Sequence, residues 1–172
     1  ILAVALLLLI GWLGTNAYVR VQTNRFTSLL DQGQYTAAGD LYHQAAGLLP
    51  GGNDFFKERF EGLLESRLDA MVVNYLSDKL EYEEIESCLN LVDQAGLTPA
   101  NLRKCHALIT AEQASRLSDE RQAISIVEQA LEVYPGDALL KAQLARYRTR
   151  AAELMLYNGP VQHIFFHPLI VY

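Results

Sequence analysis

Cations are scarce in this chain and thiols scarcer still, and neither clusters in a way that builds a site. Fourteen Lys and Arg stand against twenty Asp and Glu, for a formal net charge of −6. A binder of nucleic-acid backbone needs surplus cations to neutralise phosphates, so this balance argues against that class. Cys88 and Cys105 are the only cysteines. They form no Cys-x-x-Cys and have no ligand-spaced histidine, which leaves no zinc motif. Free buried thiols are the expectation for both, with a disulfide between neighbouring helices as the alternative in an oxidising compartment. No glycine-rich loop follows a strand, no serine sits in a nucleophile elbow, and no helix pair carries dimetal glutamate spacing. These absences predict no catalytic, cofactor-binding or metal residue within this chain.

What is present begins at once. Residues 1–19, Ile1-Leu-Ala-Val-Ala-Leu-Leu-Leu-Leu-Ile10 through Trp12 and Tyr18 to Val19, contain no charge. At about 1.5 Å of rise per residue they make a helix of roughly 28 Å, close to the ~30 Å of a bilayer's hydrocarbon. Trp12 and Tyr18 suit a membrane interface. The expectation is a single-pass transmembrane anchor that touches membrane lipid; a signal peptide and a buried core helix are the other readings. With neither a charged leader nor an initiator Met, the sequence is expected to start partway into a longer product. Arg20 and Arg25 alone pull the C-terminal side toward the cytoplasm, but the opposite flank needed for the comparison is not in view.

Beyond the anchor the pattern is helical. Phe26, Leu29 and Leu30 form one apolar stripe, and Tyr35, Ala38, Leu41, Tyr42 and Ala45 form another after a turn at Asp31–Gln34. Pro50-Gly-Gly-Asn-Asp54 breaks the pattern. A long helix is predicted from Phe55 to about Ser77 and another over Glu81–Ala95, with Gly96 as its left-handed stop. Glu81, Glu83, Glu84 and Glu86 fall in that helix's first turns, where acidic groups offset the macrodipole. Thr98-Pro99 reads as an N-cap followed by proline at the first helical position. Helices over Pro99–Arg116, Gln122–Val133 and Ala138–Leu156 complete the set.

Three helix pairs emerge from this pass, and the first resembles a tetratricopeptide repeat. Gly33, Tyr35, Ala38, Tyr42, Ala45 and Pro50 stand at that motif's glycine, aromatic, small, aromatic, small and proline positions. Ala123, Val127, Ala130 and Pro135 match it loosely, and Tyr82, Ile85, Leu89 and Val92 keep only its apolar outline. Ala38 and Ile85 lie 47 residues apart, and Ile85 and Ala123 lie 38 apart, against a family period of about 34. The resemblance therefore implies a degenerate array over residues 20–157, each pair burying too little alone and stacking on its neighbour.

After Asn158-Gly-Pro160 the composition turns to β-favouring residues, and 158–172 reads as a strand-like opening of a truncated downstream domain. Val161-Gln-His163-Ile-Phe-Phe-His167-Pro-Leu-Ile-Val-Tyr172 resembles the lead-in to the catalytic region of membrane-anchored polysaccharide deacetylase-like proteins of Gram-positive bacteria. That resemblance implies an extracytoplasmic helical domain, a cell-envelope glycan as a further partner, and a divalent metal such as zinc in the missing domain. His163 and His167 on a strand lie some 13 Å apart, too far to share one ion at about 2 Å.

The fold expected is thus all-α: a transmembrane helix, degenerate TPR-like pairs and a terminal strand-like segment. The function expected is a membrane-tethered scaffold that binds a protein partner or positions a deacetylase-like downstream domain, with catalysis not by this chain alone. Two alternatives stand beside it. In one, the histidine-bearing tail contributes to a metal-dependent deacetylase site; in the other, the repeats form an envelope adaptor. The candidate surface residues are Tyr35 and Tyr42, if solvent-facing, Arg146 and Arg150, one helical turn apart within a basic group with Lys141 and Arg148, and His163 and His167.

Overall fold

The computed structural model describes residues 2–48 and 52–157, with side chains described from Leu9 onward except at 10, 53 and 55. Seven α-helices lie among them: α1 (Leu2–Asp31), α2 (Tyr35–Leu48), α3 (Gly52–Leu76), α4 (Tyr82–Ala95), α5 (Leu102–Arg116), α6 (Glu120–Val133) and α7 (Ala138–Tyr157). The chain divides after Cys105, within α5, into two units.

In the first unit, α2 packs on α1, α3 and α4, and α3 packs on α1 and α4. This is pairwise, repeat-like helix packing. The apolar stripes read from sequence supply its core. Phe26 of α1 stacks on Phe60 of α3 with ring centroids 4.1 Å apart, and Tyr42 of α2 and Phe56 tilt against Phe60 at 5.6 and 5.5 Å. The small residues matter as much as the rings. A Cβ on Gly39 of α2 would stand 3.2 Å from the Leu91 side chain of α4, so the missing side chain is what lets these two helices approach.

The turns explain where each helix stops. Gly33 takes φ +69 between α1 and α2. Gly96 takes φ 64 after α4, and the Gly96 and Leu97 amides donate to Asp93 and Val92, the left-handed stop expected there. Thr98-Pro99 behaves otherwise. The Thr98 amide and hydroxyl donate to Glu61 Oε1 of α3 at 2.6 and 3.1 Å, and the Ala100 amide donates to Glu65 Oε1 at 2.7 Å. Two carboxylates from α3 thus hold this loop, and α5 begins only at Leu102. Likewise α3 begins at Gly52, inside the predicted breaker, rather than at Phe55.

In the second unit α6 packs on α7. Asp119 caps α6 by accepting from the Gln122 amide at 3.0 Å, and Asp137 accepts from the Leu140 amide of α7 at 2.9 Å. Ala123, Val127 and Ala130 of α6 are buried, as are Leu140 and Tyr147 of α7.

Several expectations require correction. Among the described residues no helix is long and apolar enough to cross a membrane. That overturns the transmembrane anchor over 1–19, the lipid contact and the single-pass membrane localisation built on it. The apolar opening is not a helix of its own. It is the first part of a 30-residue helix whose described side chains include exposed Asn16 and Arg20 and then buried Val19, Phe26 and Leu30. The side chains of 1–8 lie outside the described residues. No β-strand occurs among the described residues, so the fold established is helical throughout; the strand-like segment over 158–172, with its downstream-domain boundary, lies outside them.

The aromatic cluster should dominate the stability of the first unit. Phe60→Ala is predicted to cost about 3–5 kcal/mol, and Val73→Ala, half-exposed on the same helix, under about 0.5 kcal/mol. Urea unfolding measures both, and equal losses would contradict this account of the core.

Candidate functional site

The charged groups that sequence placed on a solvated surface are spent inside the second unit. Glu112 of α5 and Glu120, the first residue of α6, are both buried, with side chains 3 % exposed. Ionised carboxylates in such positions need donors, and α7 brings them. Arg146 Nη2 donates to Glu112 Oε1 and Oε2 at 3.0 and 2.8 Å, Tyr147 OH to Oε2 at 2.9 Å, and Arg116 Nε to Oε1 at 3.3 Å. Arg150 Nε lies 3.3 Å from Glu120 Oε1, which also accepts from the Ser115 hydroxyl at 2.9 Å. Glu120 Oε2 is buried without a hydrogen-bond partner.

The turn that delivers Glu120 is built locally. The Ser118 amide donates to Ser115 and the Asp119 amide to Ala114, closing α5 with Ser118 in the left-handed conformation at φ 63. Glycine usually occupies that position; a residue with a Cβ there stores of order 1 kcal/mol of strain.

Arg146 and Arg150 therefore share a helix face, as their spacing predicts, but the face turns inward to Glu112 and Glu120. Arg148 pairs with Glu128 at 2.7 Å on the exposed side, a kind of pair worth little in water. Tyr35 and Tyr42 are packed, not solvent-facing, at 8 % and 3 % exposure. The Tyr35 hydroxyl donates to Met71 Sδ at 3.5 Å. Burial, then the nearby Glu61 and Asp54 charges, push the Tyr42 phenol above its ordinary range. His163 and His167 lie outside the described residues.

Both thiols are buried and not joined in a disulfide, and the Cys105 thiol donates to Asp69 Oδ1 at 4.0 Å. Burial pushes Cys88 up to about 12, only partly opposed by the Arg67 charge, so it is a protonated, unreactive core group at neutral pH. Burial and the facing Glu112 carboxylate raise Tyr147 as well. Among the described residues no group of three or more His, Cys, Asp or Glu could hold a metal ion, which corrects the metal-dependent reading of this chain.

In the first unit a second feature faces outward. A groove of about 250 Å³ runs between α1 and α3, lined by Thr27, Leu30, Leu63, Ser66, Arg67 and Ala70. Arg67 Nη1 stands 3.9 Å from Asp31 Oδ1 with the side chain 31 % exposed, and Arg67 Nε is buried without a hydrogen-bond partner. The nearby Tyr35 phenol, opposed by burial, holds the Arg67 guanidinium above its ordinary value.

No family model matches the chain, and no curated protein or solved structure matches it either. The resemblances to tetratricopeptide repeats and to deacetylase-like envelope proteins therefore give no family assignment, and the comparisons lend no support to the activity, glycan partner and extracytoplasmic placement they implied. What stands is an all-α protein with pairwise helix packing.

Sequence reasoning missed Glu112, Glu120 and Tyr147. A signal existed for the first: Leu108, Ala111, Glu112 and Ser115 share one face of α5, so Glu112 sits in an apolar stripe with Arg116 four residues on.

Two outcomes follow from these environments. Arg146→Met should destabilise the second unit by about 2 kcal/mol by removing charge-assisted bonds to a buried carboxylate, measured by urea unfolding; a loss as small as that of Arg148→Met would contradict the network. Cys88 keeps its proton in the folded state while the unfolded thiol loses it near 9, so folding stability is full below pH 9 and falls as pH rises toward about 12. Stability measured between pH 7 and 11 should fall less steeply in Cys88→Ala.

Proposed function

We propose that this protein is a helical scaffold that binds a partner polypeptide, with the α1–α3 groove of the first unit as the docking surface. The groove's cation carries this reading. Arg67 presents a partly exposed guanidinium on a floor of small and apolar side chains, and Asp31 at 3.9 Å neutralises it only loosely. Such a surface suits an extended segment that lays apolar groups along Leu63 and Ala70 and offers a carboxylate to Arg67, since a guanidinium takes a carboxylate through two parallel bonds. Buried Phe26, Phe60 and Leu64 give the groove a rigid support, which lowers the ordering cost of binding.

A benzophenone side chain introduced at the exposed groove residue Ser66 is predicted to crosslink one discrete partner in the producing cell, and Arg67→Glu should abolish that product. The same probe at Arg103, exposed on α5, should not yield it. Equal crosslinking at both positions, or a product indifferent to Arg67→Glu, would sink the proposal.

A further inference from the structure

We infer that the cleft between the start of α2 and α4 takes a neutral stretch of polypeptide in extended conformation, held by its backbone. The cleft measures about 240 Å³ and is lined by Gly33, Tyr35, Thr36, Ser87, Asn90, Leu91 and Gln94. None of these side chains carries a charge at neutral pH. Two of them are buried and fixed: Leu91 packs against Gly39, and the Tyr35 hydroxyl donates to Met71. The others are exposed and polar. Ser87, Asn90 and Gln94, spaced by three and four residues, share one face of α4. The Ser87 hydroxyl donates to Glu83 O at 2.8 Å, which leaves its oxygen as an acceptor. Among the described residues the carboxamides of Asn90 and Gln94 have no hydrogen-bond partner.

Spacing and chemistry together select the ligand. Four residues of helix rise about 6 Å. Along one edge of an extended chain the backbone groups recur every second residue, about 6.6–6.8 Å. Each carboxamide offers a donor and an acceptor side by side, the complement of one residue's N–H and C=O. Asn90 and Gln94 therefore match two alternate residues of one strand, much as a sheet edge would. Other ligands fit the lining poorly. An ion would find no counter-charge among these side chains, and a nucleic-acid strand no cation for its phosphates. A sugar ring would find no aromatic face, because Tyr35 is buried. The cleft is also smaller than the roughly 300–1,000 Å³ of sites that enclose a small molecule. This inference rests on the scaffold reading above only in taking the occupant to be a polypeptide.

The carboxamides themselves report binding. The full chain, labelled with ¹⁵N, is titrated with N-acetyl-Val-Thr-Val-Thr-Val-amide, and its side-chain amide signals are followed by NMR. Those of Asn90 and Gln94 should move saturably while that of Gln129, exposed on α6, stays still. Methylating every backbone nitrogen of the peptide should weaken binding about tenfold or more, since each donor is lost. N-acetyl-Ser-Ala-Ser-Ala-Ser-amide, with other side chains on the same backbone, should bind within about threefold. Asn90→Leu and Gln94→Leu, both at exposed positions, should each weaken the first peptide about tenfold. Equal affinity for the methylated peptide, or no saturable shift up to about 10 mM, would overturn the inference. So would cellopentaose or inorganic phosphate moving the same two signals saturably. These titrations of the isolated chain do not depend on the Ser66 crosslink formed in the cell, so the two readings fail separately.

Discussion

Helix α2 has to bury Tyr35, Ala38, Gly39, Tyr42 and Ala45 at once, and no single neighbour can cover positions spread over so wide an arc. That constraint organises the first unit. Tyr42 meets Phe60 of α3, Gly39 admits Leu91 of α4, and α1 closes the remaining side. A fourteen-residue helix is marginal alone in water, so α2 exists as a helix because three others share its faces. The Phe26–Phe60 stack then ties α1 to α3 beneath the groove that carries Arg67.

The second unit solves a different problem. Its interior admits two carboxylates, and a buried charge without donors would be very costly. Glu112 is satisfied completely, by Arg116 from its own helix and by Arg146 and Tyr147 from α7. Glu120 is satisfied on one oxygen only. Both carboxylates hold α7 in place, Glu112 through Arg146 and Tyr147 and Glu120 through Arg150.

Some of this was legible in the residues. The turn at Asp31–Gln34 and the left-handed stop at Gly96 were both read from sequence, and both are present, with Gly33 also at positive φ. The apolar stripes around Phe26, Tyr42 and Val127 do face the core. The candidate surface was much less legible. Tyr35 and Tyr42 suggested exposed aromatics and are packed; Arg146 and Arg150 suggested a basic face and are paired. A side chain's type fixes what it can bind, but its partner is chosen by which helix lies opposite. Local reading of Thr98-Pro99 failed for the same reason, since the competing acceptors, Glu61 and Glu65, sit some 35 residues away.

The sequence by itself determined that the described chain is helical, and roughly where each helix turns. Periodicity of apolar residues and the backbone freedom of glycine act within a few positions of one another. Only the tertiary structure decided that the apolar opening runs on as one helix into a docked segment. It alone brought Arg146 to Glu112, 34 residues away, and buried one oxygen of Glu120 without a hydrogen-bond partner. Those outcomes depend on burial, which is a property of the packed helices and not of any stretch of chain.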